Sequence, residues 1–289
     1  PSDIRYEFLE LGGFLSEEVT RRDWAQLIHA TAAHLSAGGA SGIVITTGTD
    51  TLAYTAGLLH WFFGKTRVPV ILAASPSTAE SQEAAATFKA AIQAAVSHDP
   101  GLWVLCGDQR LPAANLKFER VPGSSDQPAF RTWNRDQALA SSPTSLGDPE
   151  LSLDELTSRM EAAVRSVFVA KVFPGMQANA LIALIDAGVR FFILELYDTG
   201  TANLRETPFS LRHALEYGQQ KDTTFFCTSQ QEGNVDFSRY VTSHDLWREG
   251  AIPMGHLTTE SVYSRLLSVL VGADNWDTRE IVAKMEQSE

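Results

Sequence analysis

The sequence is poor in several features that would assign a protein to a specialised class. It has only two cysteines among 289 residues, and both lie inside apolar runs (WVLCG and TFFCTS), where we expect small buried side chains and no disulfide. No basic run occurs and the formal net charge is −12, which argues against nucleic-acid binding. No apolar run reaches membrane-spanning length, and the first ten residues, PSDIRYEFLE, lack a signal-peptide core. We therefore expect a cytoplasmic protein with no membrane contact.

Cofactor and metal motifs are also missing. The seven histidines show no metal-ligand spacing, since His29 and His34 are five residues apart on one predicted helix. No glycine-rich phosphate loop follows a predicted strand. We therefore expect neither a metal nor a nucleotide cofactor.

Short apolar runs alternate with amphipathic stretches along the first hundred residues. Strands are predicted at 42–47, 68–74 and 102–106, and helices at 50–63 and 81–96. Continuous apolar strands of this kind are buried on both faces of a parallel sheet. The order predicts a doubly wound α/β domain with its site at the carboxyl ends of the strands.

The composition changes in the middle of the chain. From Pro122 to about Asp154 it turns to Ser, Pro, Gly and Asp without an apolar period, and the α/β pattern restarts at 167. We predict an N-terminal α/β domain over 1–140, an interdomain linker over 141–166, and a smaller α/β domain over 167–289.

The segment ITTGTDTL (45–52) is the strongest motif. It follows one predicted strand and opens a helix, so Gly48, Thr49 and Asp50 are predicted at the carboxyl edge of the sheet. A hydroxyl beside a carboxylate at a helix start can bind an amino acid and orient a water or nucleophile. The alternative is that Thr49 or Asp50 only caps the helix.

With its neighbours, this motif resembles the GTDT signature of the type I asparaginase and glutaminase family. Four C-terminal blocks resemble family blocks in the same order, namely KVFPGM, LELYDTGTAN, TSQQEGNVDFSRY and REGAIPMGHLTTE. Upstream, Leu15-Ser16-Glu17-Glu18 matches the loop in which the family has a substrate-binding serine. The similarity covers essentially the whole chain.

The resemblance implies hydrolysis of the side-chain amide of Asn or Gln by a threonine nucleophile, aided by a Thr–Asp–Lys group. It gives Thr49 and Asp50 catalytic roles. Ser16, Glu17 and Gly48 would bind a small amino-acid-like substrate. The loop TGTAN (199–203) would reach a neighbouring subunit's site or an effector pocket, and the family's assembly implies a homodimer or homotetramer.

Several family features are absent or altered. The Gly-Gly-Thr strand that carries the nucleophilic threonine is missing, so we expect that strand on a separate N-terminal fragment. Counting from the third strand without a gap brings the catalytic lysine onto Lys117, although Lys117 and Glu119 can also be read as solvated charges. The loop at 75–84 lacks the family's Arg and Asp-Gly.

Three hypotheses follow. The chain is an asparaginase-type amidohydrolase acting on Asn or a related amide, with Thr49, Asp50 and Lys117 as catalytic residues. Alternatively, it is a catalytically silent homologue that binds an amino acid or serves as a partner subunit. In the third hypothesis, the same chemistry acts on another acyl or amide substrate.

Overall fold

The structure is a computed structural model that describes residues 4–13, 15–75, 77, 80–97, 99–107, 109–119, 130–140, 145, 150–205 and 207–287. In this part of the chain, two four-stranded sheets, one mixed and one all parallel, are joined through packed helices. The first sheet contains four strands in the order β1-β2-β3-β4. These strands are β1 (Ile43–Thr46), β2 (Pro69–Ala74), β3 (Gly101–Cys106) and β4 (Gln109–Pro112). The first three are parallel, and β4 returns antiparallel to β3.

Helices cover both faces of the first sheet. The elements are α1 (Arg21–Ala37), α2 (Leu52–Phe63) and α3 (Gln82–Ser97). Alternate residues of β2 point to opposite sides, so Ile71 and Ala73 pack under α3 while Val70 and Leu72 pack under α2. This two-sided burial is the physical reason for the continuous apolar runs, and the predicted α/β arrangement is confirmed.

The region between the sheets is more structured than its composition indicates. A hairpin of β5 (Leu116–Phe118) and β6 (Phe130–Thr132) leads into α4 (Arg135–Ala140), and α5 (Leu153–Ser166) follows. The predicted linker 141–166 therefore ends in a helix, whereas its residues 141–144 and 146–149 lie outside the described ones. A capping box between Ser152 and Glu155 starts α5, and its buried stripe packs against α1. The domain boundaries remain a prediction.

The second sheet is all parallel, in the order β10-β9-β8-β7. Its strands are β7 (Val167–Lys171), β8 (Phe191–Leu196), β9 (Thr224–Ser229) and β10 (Ile252–Pro253). One face is covered by α6 (Ala178–Asp186) and α7 (Arg212–Gln220), with α8 (Val241–Arg248) beside them. On the other face lies α9 (Thr259–Val271), and α10 (Thr278–Glu286) completes the described helices.

Helix α9 joins the two halves into one core. It packs against α2 as well as against β7, β8 and β9. Gly57 allows the close approach of α2, because a Cβ at this position would lie 2.9 Å from the Ser264 Oγ. The Trp61 indole N–H also donates to the Ser261 Oγ at 2.9 Å. None of the helices in the described ranges is long and apolar enough to cross a membrane.

Candidate functional site

The turn after β1 carries the GTDT motif at the carboxyl edge of the first sheet. The Thr47 N–H donates to the Ala73 carbonyl (3.0 Å), so the ladder with β2 continues to the start of the turn. The N-cap of α2 is Thr51, and no side chain caps this helix. The Thr51 hydroxyl instead donates to the Ser16 carbonyl at 3.0 Å. The structure therefore does not use Thr49 or Asp50 as a helix cap.

Ser16 docks onto this turn from the N-terminal segment. Its Oγ lies 3.3 Å from the Asp50 Oδ2, to which it donates, and it accepts from the Asp50 N–H at 3.3 Å. Gly48 makes room for this contact, because a Cβ there would lie 2.7 Å from the Ser16 Cβ. Three of the residues predicted from the resemblance, Ser16, Gly48 and Asp50, are thus in direct contact.

Thr49 and Glu17 lie beside this group without being held by it. Thr49 is half-buried and its carbonyl accepts from the Leu52 N–H (3.3 Å). Its hydroxyl has no hydrogen-bond partner among the described residues, so it is available to a ligand. Glu17 is exposed in the short 3-10 turn that contains Ser16, next to the same edge of the sheet.

Lys117 lies in a different set of contacts. Its Nζ donates to both carboxylate oxygens of Glu260, at 2.9 and 3.1 Å, and lies 3.5 Å from the Glu195 Oε1. Burial alone lowers the pKa of Lys117, but the charge and hydrogen bonds of Glu260, followed by those of Glu195, outweigh it and raise the pKa above its ordinary value. Within the described ranges, no hydrogen bond or ion pair joins Lys117 to Thr49 or Asp50.

The carboxylates around Lys117 form a polar cluster at the carboxyl edge of the second sheet. Lys171, Glu195 and Thr228 face one another across β7, β8 and β9. The Thr259 hydroxyl donates to the Glu195 Oε1 (3.1 Å) and lies 2.8 Å from the Thr228 hydroxyl. Sequence reasoning missed this cluster, although a glutamate in the middle of the apolar run FFILELY was a usable signal.

Tyr54 is in the first turn of α2, after the GTDT motif, and its phenol is influenced by the polar cluster around Lys117. Burial, and then the negative charges of Glu260 and Glu195, raise the pKa of its phenol. Both carboxylates therefore disfavour ionisation of this phenol.

The edge of the first sheet at β1 is open. β1 pairs only with β2 in the described part of the chain, and Ile43, Val44 and Ile45 are only half-buried, whereas β2 is buried throughout. Before Ser16, residues 4–13 form no strand and expose large apolar side chains, including Tyr6 (78%) and Phe8 (77%). The outer edge of β1 and residues 4–13 thus present apolar surface that no described strand covers.

The loop TGTAN lies by an apolar cavity of about 350 Å³ at the carboxyl ends of β7 and β8. The loop contributes Asn203, whose amide donates to the Phe209 carbonyl (3.1 Å) and accepts from the Arg205 N–H (3.1 Å). These two hydrogen bonds orient the amide but use only one of its two N–H donors among the described residues. A role for this loop therefore stays a prediction.

The comparisons with known proteins agree with this fold. Residues 3–135 match the family model described as "Asparaginase, N-terminal". The L-asparaginase of Thermococcus kodakarensis superposes with a TM-score of 0.76 at 24% identity, covering 94% of this chain and 81% of that one. L-asparaginase I of Vibrio cholerae gives 0.74 at 21% identity, covering 96% and 82%. The chain therefore has the asparaginase fold, and its first half is similar to asparaginase N-terminal domains.

The curated relatives have a different name. The D subunit of the glutamyl-tRNA(Gln) amidotransferase of Pyrococcus furiosus is 29% identical over 274 residues, covering 90% of this chain and 61% of the relative. The corresponding protein of Methanococcus maripaludis is 27% identical over 288 residues, covering 93% and 66%. The chain thus spans somewhat less than two thirds of the length of these relatives. The finer assignment to bacterial type I asparaginases stays a prediction.

Proposed function

We propose that this chain is an asparaginase-fold subunit that binds a free amino-acid amide, such as Asn or Gln, at the carboxyl edge of β1. The observation that carries the proposal is the contact of Ser16 with Asp50 around Gly48, beside the unpaired hydroxyl of Thr49. The fold supports the proposal, and so do relatives that are named as subunits of an amidotransferase.

The charges at this edge suit a substrate with a free ammonium group. Asp50 and Glu17 supply carboxylates, and no Lys or Arg makes an ion pair with either among the described residues. The start of α2 has no side-chain cap, and the positive end of its helix dipole would favour the substrate's carboxylate. Thr49 would orient the reacting group, and Lys117 would supply positive charge.

Hydrolysis also needs a nucleophile that residues 1–289 do not provide as a Gly-Gly-Thr strand. We propose that this strand comes from outside these residues, on the same longer polypeptide or on another, and pairs with the open edge of β1. Its threonine would attack the amide carbon, ammonia would leave, and water would then hydrolyse the acyl-threonine. In an amidotransferase assembly, a partner subunit would consume the ammonia.

The second candidate is a subunit that binds the amino acid without hydrolysing it. It is favoured by the position of Lys117, which is held by Glu260 and Glu195 with no described contact to Thr49 or Asp50.

A third candidate, a different amide or acyl substrate, rests on the altered 75–84 loop. There the Ser77 hydroxyl donates to Glu83, so this polar pair is occupied internally. The homodimer or homotetramer stays a prediction.

Calorimetric titration with L-Asn and L-Gln tests the binding step. We expect Asp50→Asn to weaken binding at least tenfold, because a carboxylate that faces the ammonium is lost. Asp236→Asn is a matched control, since the Asp236 carboxylate, like that of Asp50, accepts from a serine hydroxyl but lies in the other half. Equal affinity of Asp50→Asn and wild type, or no binding of either amino acid to wild type at millimolar concentration, would contradict the proposal.

A further inference from the structure

The contacts of Lys117 cross from one half of the molecule to the other. Lys117 lies on the β5–β6 hairpin, Glu195 on β8 of the second sheet, and Glu260 in the first turn of α9. All three side chains are largely buried, with 17%, 13% and 11% exposed, respectively. An ion pair at this depth is screened much less by solvent than one at the surface.

The ammonium group is fully occupied by carboxylates. A protonated lysine has three N–H donors, and here the two oxygens of Glu260 and the Glu195 Oε1 all lie within 3.5 Å of the Nζ. The Trp133 ring lies 5.3 Å from the same nitrogen. The neutral amine would leave two carboxylates facing each other without a cation between them, so this geometry favours the charged form strongly.

The other charged and titratable groups around the cluster do not reverse this balance. From β7, Lys171 lies 4.0 Å from the Glu195 Oε2 and is itself 66% exposed. From α2, Tyr54 is neutral in its ordinary state, and the nearby carboxylates disfavour its ionisation further. Thr259 and Thr228 supply only hydroxyls.

We infer that Glu260 and Glu195 are positioning residues that hold Lys117 as a permanent cation, so that the C-terminal half fixes the charge and place of the lysine contributed by the N-terminal half. Lys117 then does not serve as a general base, because a base has to be neutral for part of the time near the working pH. Only its use as a cation at the site rests on the proposed function; its charge state does not.

Lysine-selective NMR tests the charge state directly. The chain has six lysines, so ¹³Cε-labelled lysine gives six signals, and Lys117→Arg assigns the one of interest. We expect the Lys117 signal to titrate at higher pH than those of the other lysines, and Glu260→Gln to lower that midpoint. In Glu260→Asp, which keeps the carboxylate, the Lys117 midpoint should lie between those of Glu260→Gln and wild type. Lys171→Met is the matched control and should leave the Lys117 signal charged at neutral pH.

Two outcomes would overturn the inference: a Lys117 signal that titrates at or below those of the other lysines, or a midpoint that Glu260→Gln does not move. If Glu260→Gln does not fold, Glu195→Gln replaces it, with a smaller downward shift expected. In the assembly that contains the nucleophile strand, Glu260→Gln should lower kcat for ammonia release with little change in KM. An elevated Lys117 midpoint that Glu260→Gln lowers, found without any ammonia release, would reject hydrolysis as the function while leaving the inference about charge intact.

Discussion

Gly48→Ala is the sharpest perturbation of the candidate site. The glycine has no left-handed backbone that would forbid alanine, so the effect comes from the added Cβ, which would lie 2.7 Å from the Ser16 Cβ. Since both groups are short and close to the backbone, the Ser16 turn has to move away. Three hydrogen bonds would then be lost, two between Ser16 and Asp50 and one from Thr51 to the Ser16 carbonyl.

Each such bond contributes about 0.5–1.5 kcal/mol, and the two long, exposed ones between Ser16 and Asp50 lie at the lower end. The local loss is therefore about 1.5–2 kcal/mol, which corresponds to roughly 10- to 30-fold weaker binding of L-Asn or L-Gln. Global stability in urea should change little, because the turn can open without unfolding the core. Calorimetry and urea unfolding measure the two effects separately.

A double-mutant cycle with Ser16→Gly identifies the cause. In that background the side chain that meets the new Cβ is gone, and the next contact, the Ser16 backbone nitrogen, lies at 3.6 Å. Gly48→Ala should then weaken binding no further. Gly233→Ala, with no atom within 4 Å of its Cβ, is the control and should be neutral. The reasoning is refuted if Gly48→Ala weakens binding equally in both backgrounds.

Three further predictions concern the core. Burial lowers the pKa of His60 from 6.5 to about 4. Stability therefore decreases as the pH falls from 6.5 to 4, because the unfolded chain takes up a proton that the folded chain does not. His60→Leu removes this dependence. Between pH 7 and 4.5 the free energy of unfolding in urea should therefore fall by about 2 kcal/mol more for wild type than for the variant. The same pH dependence in both proteins would contradict this prediction. Gly57→Val should cost about 1–3 kcal/mol in thermal or urea unfolding by overpacking α2 against Ser264, and Gly57→Val with Ser264→Gly should recover part of it. Phe192→Ala, which empties a fully buried stack on Phe225 at 5.1 Å, should cost about 3–5 kcal/mol, and a loss below 1 kcal/mol would exclude that packing.

Much of the fold was predictable because a strand buried on both faces of a sheet appears in the sequence as a continuous apolar run. The run predicted as a strand at 68–74 is β2 at Pro69–Ala74, and the helix predicted at 81–96 is α3 at Gln82–Ser97. The helix α5 was missed although its capping box and its spaced apolar residues are local signals, because the Ser-, Pro- and Gly-rich segment before it was interpreted as a linker that continues to residue 166. Its packing partners α1 and α9 are distant in sequence, so a local pattern could not reveal them.

The candidate site was predictable only in the part that is formed by residues close together in the sequence. The GTDT turn is local, and its contact with Ser16 follows a loop that the resemblance had already indicated. The partners of Lys117 were not predictable, because Glu195 and Glu260 come from elements that meet it only through the packing of α9 between the sheets. Counting along the chain located the lysine but not the direction of its side chain.

Ammonia release from L-Asn and L-Gln, measured with this chain alone and after addition of a synthetic strand that ends in Gly-Gly-Thr, tests the central claim most directly. We predict no release from the chain alone, release in the presence of the strand, and loss of that release in Asp50→Asn and with a Gly-Gly-Val strand. Release by the chain alone, or binding of the strand to β1 together with the amino acid but without any ammonia, would contradict it.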